Sequence, residues 1–355
     1  MTETSTDPLL VTVVIPARNE QAYISATLDS VGAQTESNLQ ILVIDNASSD
    51  ATADIVRERA ARDERIELLS NPEISIPKSL NLALEAARGR WFVRVDAHST
   101  IPSDYVARAT RRLEKNAWAG VGGRKDTVGV TPAGKAIAVA LSSPFGVGNS
   151  IYHYGTKLQT VDHIPFGSYR TDLLREMGGW NEDLVANEDY ELDYRLRKAG
   201  HELLFDPSIS ISWQCRQSIG ELLRQYVRYG RGKADVFELH PESLALRHLA
   251  APALVGGWFI ALLFRKRRPH WLLWAFGPYL VGLAAATKRS EDALEVDAQR
   301  SALPVAFVAM HAGWGVGFWQ QLIKNRSARQ AEKKRLSASG SGAPGDSGDA
   351  VTESL

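Results

Sequence analysis

Short apolar runs separated by amphipathic stretches organise the first hundred residues of the chain. Val11–Ile15 reads VTVVI, β-branched throughout, as expected of a parallel strand buried on both faces. Ile24, Leu28 and Val31 then recur at helical spacing. Ile41–Ile44 is a second strand, closed by Asp45-Asn46-Ala47-Ser48-Ser49-Asp50. Ser49 or Asp50 can cap the next helix, which carries Ile55 and Val56. Ile66–Leu69 is a third strand. Pro77 opens a helix with Leu80 and Leu84 on one face, and Trp91–Val95 is a fourth strand. This alternation predicts an open, wound, mostly parallel α/β sheet. Ligands of such sheets bind beyond the carboxyl ends of the strands. Asn19, Glu20, Asp45 and Asp96 fall at those ends.

The pattern changes near residue 248. Three apolar stretches follow, at 249–264, 271–287 and 302–319, each slightly short of the roughly 20 residues of a comfortable membrane span. Trp258, Trp271, Trp274, Trp314 and Trp319 suit anchoring at a membrane interface. Arg265-Lys266-Arg267-Arg268 separates the first two stretches, a basic run from Lys324 to Arg335 follows the third, and the loop Lys288–Arg300 mixes both signs. Positive-inside reasoning therefore predicts two spans, 271–287 and 302–319, with 249–264 lying in the membrane plane or re-entering. The expected organisation is a flexible N-terminus at 1–10, a globular domain at 11–246, membrane-associated helices at 247–323, and a basic then disordered tail at 324–355. The tail is Gly/Ser/Asp-rich from Ser337 onward.

Composition narrows the ligand. Lys+Arg and Asp+Glu number 41 each in 355 residues, so no global basic field points to nucleic acid. The single cysteine, Cys215, excludes an internal disulfide and suits a reducing compartment. The polar start, MTETSTDP, predicts no cleavable signal peptide. No Gly-x-Gly-x-x-Gly and no Walker loop follows the first strand, which argues against dinucleotide and P-loop chemistry. Acidic strand ends repel phosphate unless a metal intervenes. WFVRVDAH at 91–98 offers one: on a strand end, Asp96 and His98 point the same way and can hold a divalent cation, which can hold a diphosphate. The other reading leaves Asp96 to work alone. Asp45 can accept hydrogen bonds from a nucleotide base or ribose, close an Asx turn, or do both.

The segments VTVVIPARNE, VIDNASSDAT, SLNLALEAARGRWFVRVDAH and GSYRTDLLREMGGWNEDLVANEDYELDYRLRKAG (167–200) resemble a family-two glycosyltransferase of the GT-A, nucleotide-diphospho-sugar transferase fold. The match covers roughly residues 11–235. RQYVRYGRGKA at 224–234 resembles the Gln-x-x-Arg-Trp element of processive relatives, with Tyr229 in place of Trp. Among subfamilies the chain is most similar to the membrane-associated exopolysaccharide glucosyltransferases of the succinoglycan type. The usual Asp-x-Asp motif ends here in His98, a softer ligand that favours Mn²⁺ over Mg²⁺.

The resemblance implies an inverting transfer of a hexose from a nucleotide sugar, expected to be UDP-glucose. The acceptor is lipid-linked or a polysaccharide, and the site is the cytoplasmic face of the inner membrane. It implies a divalent cation, Mn²⁺ or Mg²⁺, on Asp96 and His98. Asp189 is the expected base, beside Glu188, in the first turn of a helix capped by Asn187, where the dipole favours an ionised carboxylate. The expected donor contacts are Pro16, Ala17, Asn19, Glu20, Asp45, Asn81, Arg94, Asp96, Gln225, Arg228, Tyr229 and Lys233. Gly167, Ser168 and Trp180 are the expected acceptor floor. Some alternatives stay open: Arg94 could simply pair with an acid, Trp180 could be core, and the basic run at 224–233 could touch anionic lipid. His153, Asp162 and His163 carry no assignment. Two competing readings are a non-catalytic membrane scaffold and a nucleotidyltransferase; the latter would need a Gly-rich basic loop that PARNE does not supply. Few membrane segments favour single addition over processive synthesis.

Overall fold

The alternation of strand and helix continues past the four strands legible in the sequence. A computed structural model describes residues 10–115 and 118–340, with side chains to 333. The parallel half comprises β1 (Val11–Ala17), α1 (Ile24–Gly32), β2 (Leu39–Asp45), α2 (Thr52–Ala60), β3 (Ile66–Ser70), α3 (Ile76–Ala86) and β4 (Trp91–Arg94). The short β5 (Ser99–Thr100), α4 (Tyr105–Glu114) and the long β6 (Trp118–Val128) follow. Next come α5 (Pro132–Leu141), α6 (Pro144–Val147), β7 (Gln159–Val161), β8 (Ser168–Arg170), α7 (Thr171–Glu176), α8 (Glu188–Lys198) and β9 (Glu202–Gln214). Four long helices close the chain: α9 (Ile219–Leu239), α10 (Leu246–Leu263), α11 (His270–Ser290) and α12 (Ala302–Gly340).

The strands form one nine-stranded sheet in the order β3-β2-β1-β4-β8-β6-β9-β5, with β7 added to β9. β8 is the antiparallel insert between β4 and β6, and β6 runs parallel to β9. Side-chain alternation sorts the sheet into two cores. Val11, Val13, Ile15, Trp91, Val93 and Val95 face the first, with α1 and α4. Val14, Leu42, Ile44 and Phe92 face the second, with Leu80 and Leu84 of α3 and Leu192 and Leu196 of α8. Arg94, two residues after Phe92, therefore faces the α8 layer. That register brings a charge into reach of the α8 N-terminus.

The C-terminal helices depart from expectation. Helices Leu246–Leu263 and Ala302–Lys333 are long and apolar enough to cross a membrane by length and composition. The stretch 249–264, expected in plane, thus qualifies, and 271–287 within α11 does not. The expected span 302–319 lies in the second of these helices, and its first turns pack on the globular domain. Ala302, Leu303, Ala306, Phe307 and Met310 are buried in the first core with Ile137, Ala140 and Leu141 of α5. Beyond them α12 packs so tightly along α9 that a Cβ at Gly230 would stand 2.1 Å from the Trp314 carbonyl oxygen, and one at Gly317 2.1 Å from that of Val227. An apolar helix does not announce whether lipid or protein covers it. α10 and α11 are the helices left uncovered: Phe259, Leu263, Leu273, Trp274 and Val281 are all at least 64% exposed. The turn joining them carries Arg265–Arg268. The basic run after Lys324 continues as helix to Gly340, so residues 337–340 are not irregular. The expectations for 1–9 and 341–355 lie outside the described residues.

Candidate active site

One guanidinium organises the carboxyl edge of the sheet. Arg94, 4% exposed, donates from Nη1 to both carboxylate oxygens of Asp189, at 2.8 and 2.7 Å. The same nitrogen reaches Glu188 Oε1 at 3.3 Å, and Nε reaches Asp96 Oδ1 at 3.1 Å. Residues 95 positions apart in sequence thereby line one site. Arg94 was expected to meet a diphosphate; its donors are instead committed to three carboxylates, the pairing alternative left open above. Burial and the neighbouring Asp189 push the Glu188 carboxyl up, against the lowering effect of Arg94.

A chain of hydrogen bonds holds Asp189 from the other side. Trp180 Nε1 donates to Asp189 Oδ1 at 3.1 Å. Asn81 pins that tryptophan at both backbone groups: Trp180 N donates to Asn81 Oδ1 at 2.8 Å, and Asn81 Nδ2 donates to Trp180 O at 2.9 Å. Gly179 has φ +67°, and a Cβ there would meet Asn81 Oδ1 at 2.4 Å, so the turn requires glycine. Asn81, expected on the donor, and Trp180, expected on the acceptor, thus act through Asp189. Trp180 is 2% exposed and presents no face to a sugar. Gly167 and Ser168 are buried too: Ser168 is 0% exposed within β8, and Gly167 is pressed against the Tyr169 ring. The expected acceptor floor is therefore interior, because small residues here serve strand packing rather than an open surface. Asn187 precedes α8 in the left-handed region (φ 64°) with no capping bond to the helix. Its Nδ2 donates instead to Tyr229 O at 2.9 Å, tying the Glu188 turn to α9.

β4 ends at Arg94, so Asp96-Ala97-His98 lies in the turn beyond it and strand alternation does not set the direction of His98. His98 Nδ1 lies 3.0 Å from Glu20 Oε1. Glu20, expected on the donor, is thus the orienter of His98. Asp96 Oδ2 and His98 Nε2 make no hydrogen bond among the described residues. A histidine with one ring nitrogen on a carboxylate and the other free is the usual arrangement of a metal ligand. No group of three or more His, Cys, Asp or Glu side chains that could hold a metal occurs among the described residues. A cation here would need most of its ligands from a bound molecule, with Asp96 and His98 as the side chains the protein could offer.

The first two strand ends form the adjoining wall. Asn19, at φ 55°, accepts from Ser49 N at 2.8 Å and donates its own N–H to Ser48 Oγ at 2.9 Å, joining the loops after β1 and β2. Pro16 and Ala17 pair with Ile44 and Asp45, and Ala17 is buried. Asp45 Oδ2 accepts from Ser48 N at 3.3 Å, the expected Asx turn, while its buried Oδ1 has no partner. On the opposite side, Gln225 Nε2 donates to the Tyr229 hydroxyl at 3.1 Å. Burial raises the Tyr229 pKa, and Arg228, Arg216, Glu188 and Asp96 all act on it, which places this part of α9 at the site. Arg228 stands exposed at the rim, its guanidinium 5.9 Å from the Tyr229 ring. Lys233 is not there: it is 2% exposed, its Nζ 3.0 Å from the centroid of the Tyr190 ring, between α8 and α9. One helical turn past Tyr229 it has rotated into the interior.

Sequence reasoning did not single out Lys125 of β6 or Arg216 after β9, both of which act electrostatically within this cluster. The signal available was Arg124-Lys125-Asp126 inside a strand otherwise made mostly of Gly, Val and Ala.

Residues 12–177 match the family profile described as Glycosyl transferase family 2. The succinoglycan biosynthesis protein ExoA of Rhizobium meliloti (strain 1021) is 32% identical over 330 residues, covering 91% of this chain and 97% of that protein. The chain belongs to glycosyltransferase family 2. Another relative, 26% identical over 63% of this chain and 72% of its own length, is a dolichyl N-acetyl-α-D-glucosaminyl phosphate 3-β-D-2,3-diacetamido-2,3-dideoxy-β-D-glucuronosyltransferase of Methanococcus voltae. The fold of this family-2 domain is GT-A, a mostly parallel sheet flanked by helices. It is similar to the mannosyltransferase PcManGT of Pyrobaculum calidifontis, solved with GDP-Man and Mn²⁺. That comparison has a TM-score of 0.59 at 20% identity and covers 86% of this chain and 88% of that one.

Proposed function

We propose that this family-2 enzyme transfers a hexose, with inversion, from a nucleotide sugar to a lipid-linked or polysaccharide acceptor. The proposed donor is UDP-glucose, and the proposed location is the cytoplasmic face of the inner membrane. The observation that carries the reading is the convergence of Asp96 and Asp189 on one buried guanidinium, at 3.1 and 2.7 Å. A donor seated against Asp96 is then within reach of Asp189.

Asp189 removes the proton of the incoming hydroxyl. Its side chain is 14% exposed, so it is open to an acceptor, while Arg94 and Trp180 fix both oxygens. Proton abstraction of this kind contributes about 10²–10⁴-fold. Asp45 Oδ1, buried and unpartnered, is the acceptor atom for a donor group of the base or ribose. Arg228 and Tyr229 close the rim. A divalent cation bound by Asp96 Oδ2 and His98 Nε2 would neutralise charge developing on the leaving diphosphate; Mn²⁺ suits the His98 nitrogen better than Mg²⁺ does. The exposed apolar residues of α10 and α11, with the basic turn between them, support seating on an anionic membrane surface. The succinoglycan relative supports a saccharide acceptor.

The test uses the full chain in detergent micelles with Mn²⁺ and a panel of nucleotide sugars, reading donor hydrolysis and transfer. UDP-glucose is expected to turn over fastest. Asp189→Asn is expected to abolish transfer while nucleotide binding persists. Substantial turnover by Asp189→Asn removes that residue from the role of base.

A further inference from the structure

Lys125 carries an amine into the interior beside the site and meets no carboxylate there. The residue is 7% exposed. Its Nζ lies 3.5 Å from the centroid of the Trp213 ring and 4.8 Å from that of Phe166. Among the described residues it makes no hydrogen bond or ion pair. The Arg94 guanidinium lies 5.5 Å from the centroid of that same Phe166 ring, so both cations approach one aromatic. A buried ammonium without a counter-charge costs several kcal/mol, of which ring contacts return about 2. Burial accordingly pushes the amine down to about 7, while Asp96, Arg94 and Arg216 also act on it.

The strand register places this amine at the ligand edge. Val93 of β4 and Val121 of β6 share Ser168 of β8 as partner. Asp96 lies three residues beyond the first and Lys125 four beyond the second, so both stand at the same carboxyl-end level. Of the other basic residues near Asp96, half-buried Arg216 makes no hydrogen bond or ion pair among the described residues, and the rest are engaged or exposed. Arg94 is committed to three carboxylates, Lys233 is turned into the α8–α9 interface, and Arg228 stands at the exposed rim. A diphosphate arriving at Asp96 therefore finds an interior cation whose charge the protein has left uncompensated.

We propose that Lys125 binds the diphosphate of the nucleotide-sugar donor and stabilises it as the leaving group. The proposal rests on the donor reading above. The experiment is calorimetric titration of the full chain in micelles with Mn²⁺, using UDP, uridine and inorganic pyrophosphate as probes. Wild type, Lys125→Met and Lys125→Arg are compared, with the Tm of each recorded. Lys125→Met is expected to weaken UDP and pyrophosphate about 10- to 100-fold, to leave uridine unchanged, and to keep or raise Tm. Lys125→Arg should retain most of the affinity, which keeps the comparison decisive if the methionine variant folds poorly. Equal UDP and pyrophosphate affinity in wild type and Lys125→Met, with a lower Tm, means that Lys125 only fills space and overturns the proposal. Failure of wild type to bind either anion also overturns it. If wild type binds pyrophosphate while no UDP-sugar is turned over, the UDP-donor reading fails and the Lys125 comparison on pyrophosphate still decides.

Discussion

Replacing Arg94 by Met strips the counter-charge from three half-buried or buried carboxylates at once. Each contact near 3 Å has a gross Coulomb energy of about 5–6 kcal/mol at an effective dielectric of 20. Desolvation of the guanidinium and repulsion among Asp96, Glu188 and Asp189 offset most of that. The net loss for breaking such a buried pair is about 3–5 kcal/mol, against a typical folding margin of about 5–15 kcal/mol. The loss should also depend on pH. Burial and Asp189 already raise the folded-state pKa of Glu188, and Arg94 is among the groups that lower it; removing Arg94 raises it further. A carboxyl raised in this way costs stability while it is charged. That cost is relieved as pH falls through its folded value towards the unfolded value of about 4.3. Urea titrations of wild type and Arg94→Met from pH 8 to pH 5 should therefore show a gap that is widest at pH 8 and narrows on acidification. Arg94→Lys restores charge but not the fork, and should recover stability only in part. Transfer should fall about 100-fold or more in Arg94→Met, since a small misplacement of Asp189 is enough. A stability difference below about 1 kcal/mol that stays flat with pH refutes the central role given to Arg94.

Three further outcomes follow from the same geometry. Mn²⁺ should support faster turnover than Mg²⁺ at equal concentration, and chelation should abolish it. Glu20→Gln should weaken Mn²⁺ binding about 10- to 100-fold by electron paramagnetic resonance, as loss of a ligand-orienting carboxylate does; unchanged Mn²⁺ affinity in both Glu20→Gln and His98→Ala takes His98 out of the cation site. Lys233→Met should leave UDP affinity intact and raise stability by about 1–4 kcal/mol near neutral pH. Burial depresses the folded pKa of Lys233 to about 6, so wild type gains stability as pH rises from there towards about 10.4. The advantage of Lys233→Met should shrink over that window, and a destabilised Lys233→Met would show that its ring contact outweighs its desolvation.

Much of the fold was legible because its signals are local. The β-branched runs at β1 and β2 and the helical spacing of Ile24, Leu28 and Val31 report burial through periods of two and 3.6 residues. The acidic strand ends and the Glu188-Asp189 pair were legible as chemistry for the same reason: each is a short string of types whose placement follows from the element it ends. Gly167, Ser168 and Trp180 misled because a small residue or a tryptophan near a motif looks alike whether it faces a sugar or a neighbouring strand. The packing of 302–319 was not legible because apolarity reports that a face is covered and says nothing of what covers it; here α5 and α9 cover part of it.

Tertiary structure alone decided the pairings across distance. Nothing near Arg94 in the sequence says that its three partners include residues 188 and 189, or that Lys125 will stand under Trp213 without an acid beside it. Both outcomes depend on where the antiparallel insert β8 sets the register between β4 and β6. Local pattern thus determined which residues could carry charge to the carboxyl edge. Sheet register determined which charges are neutralised there and which are left for a ligand, because electrostatic pairing depends on separation in space, which sequence spacing does not encode.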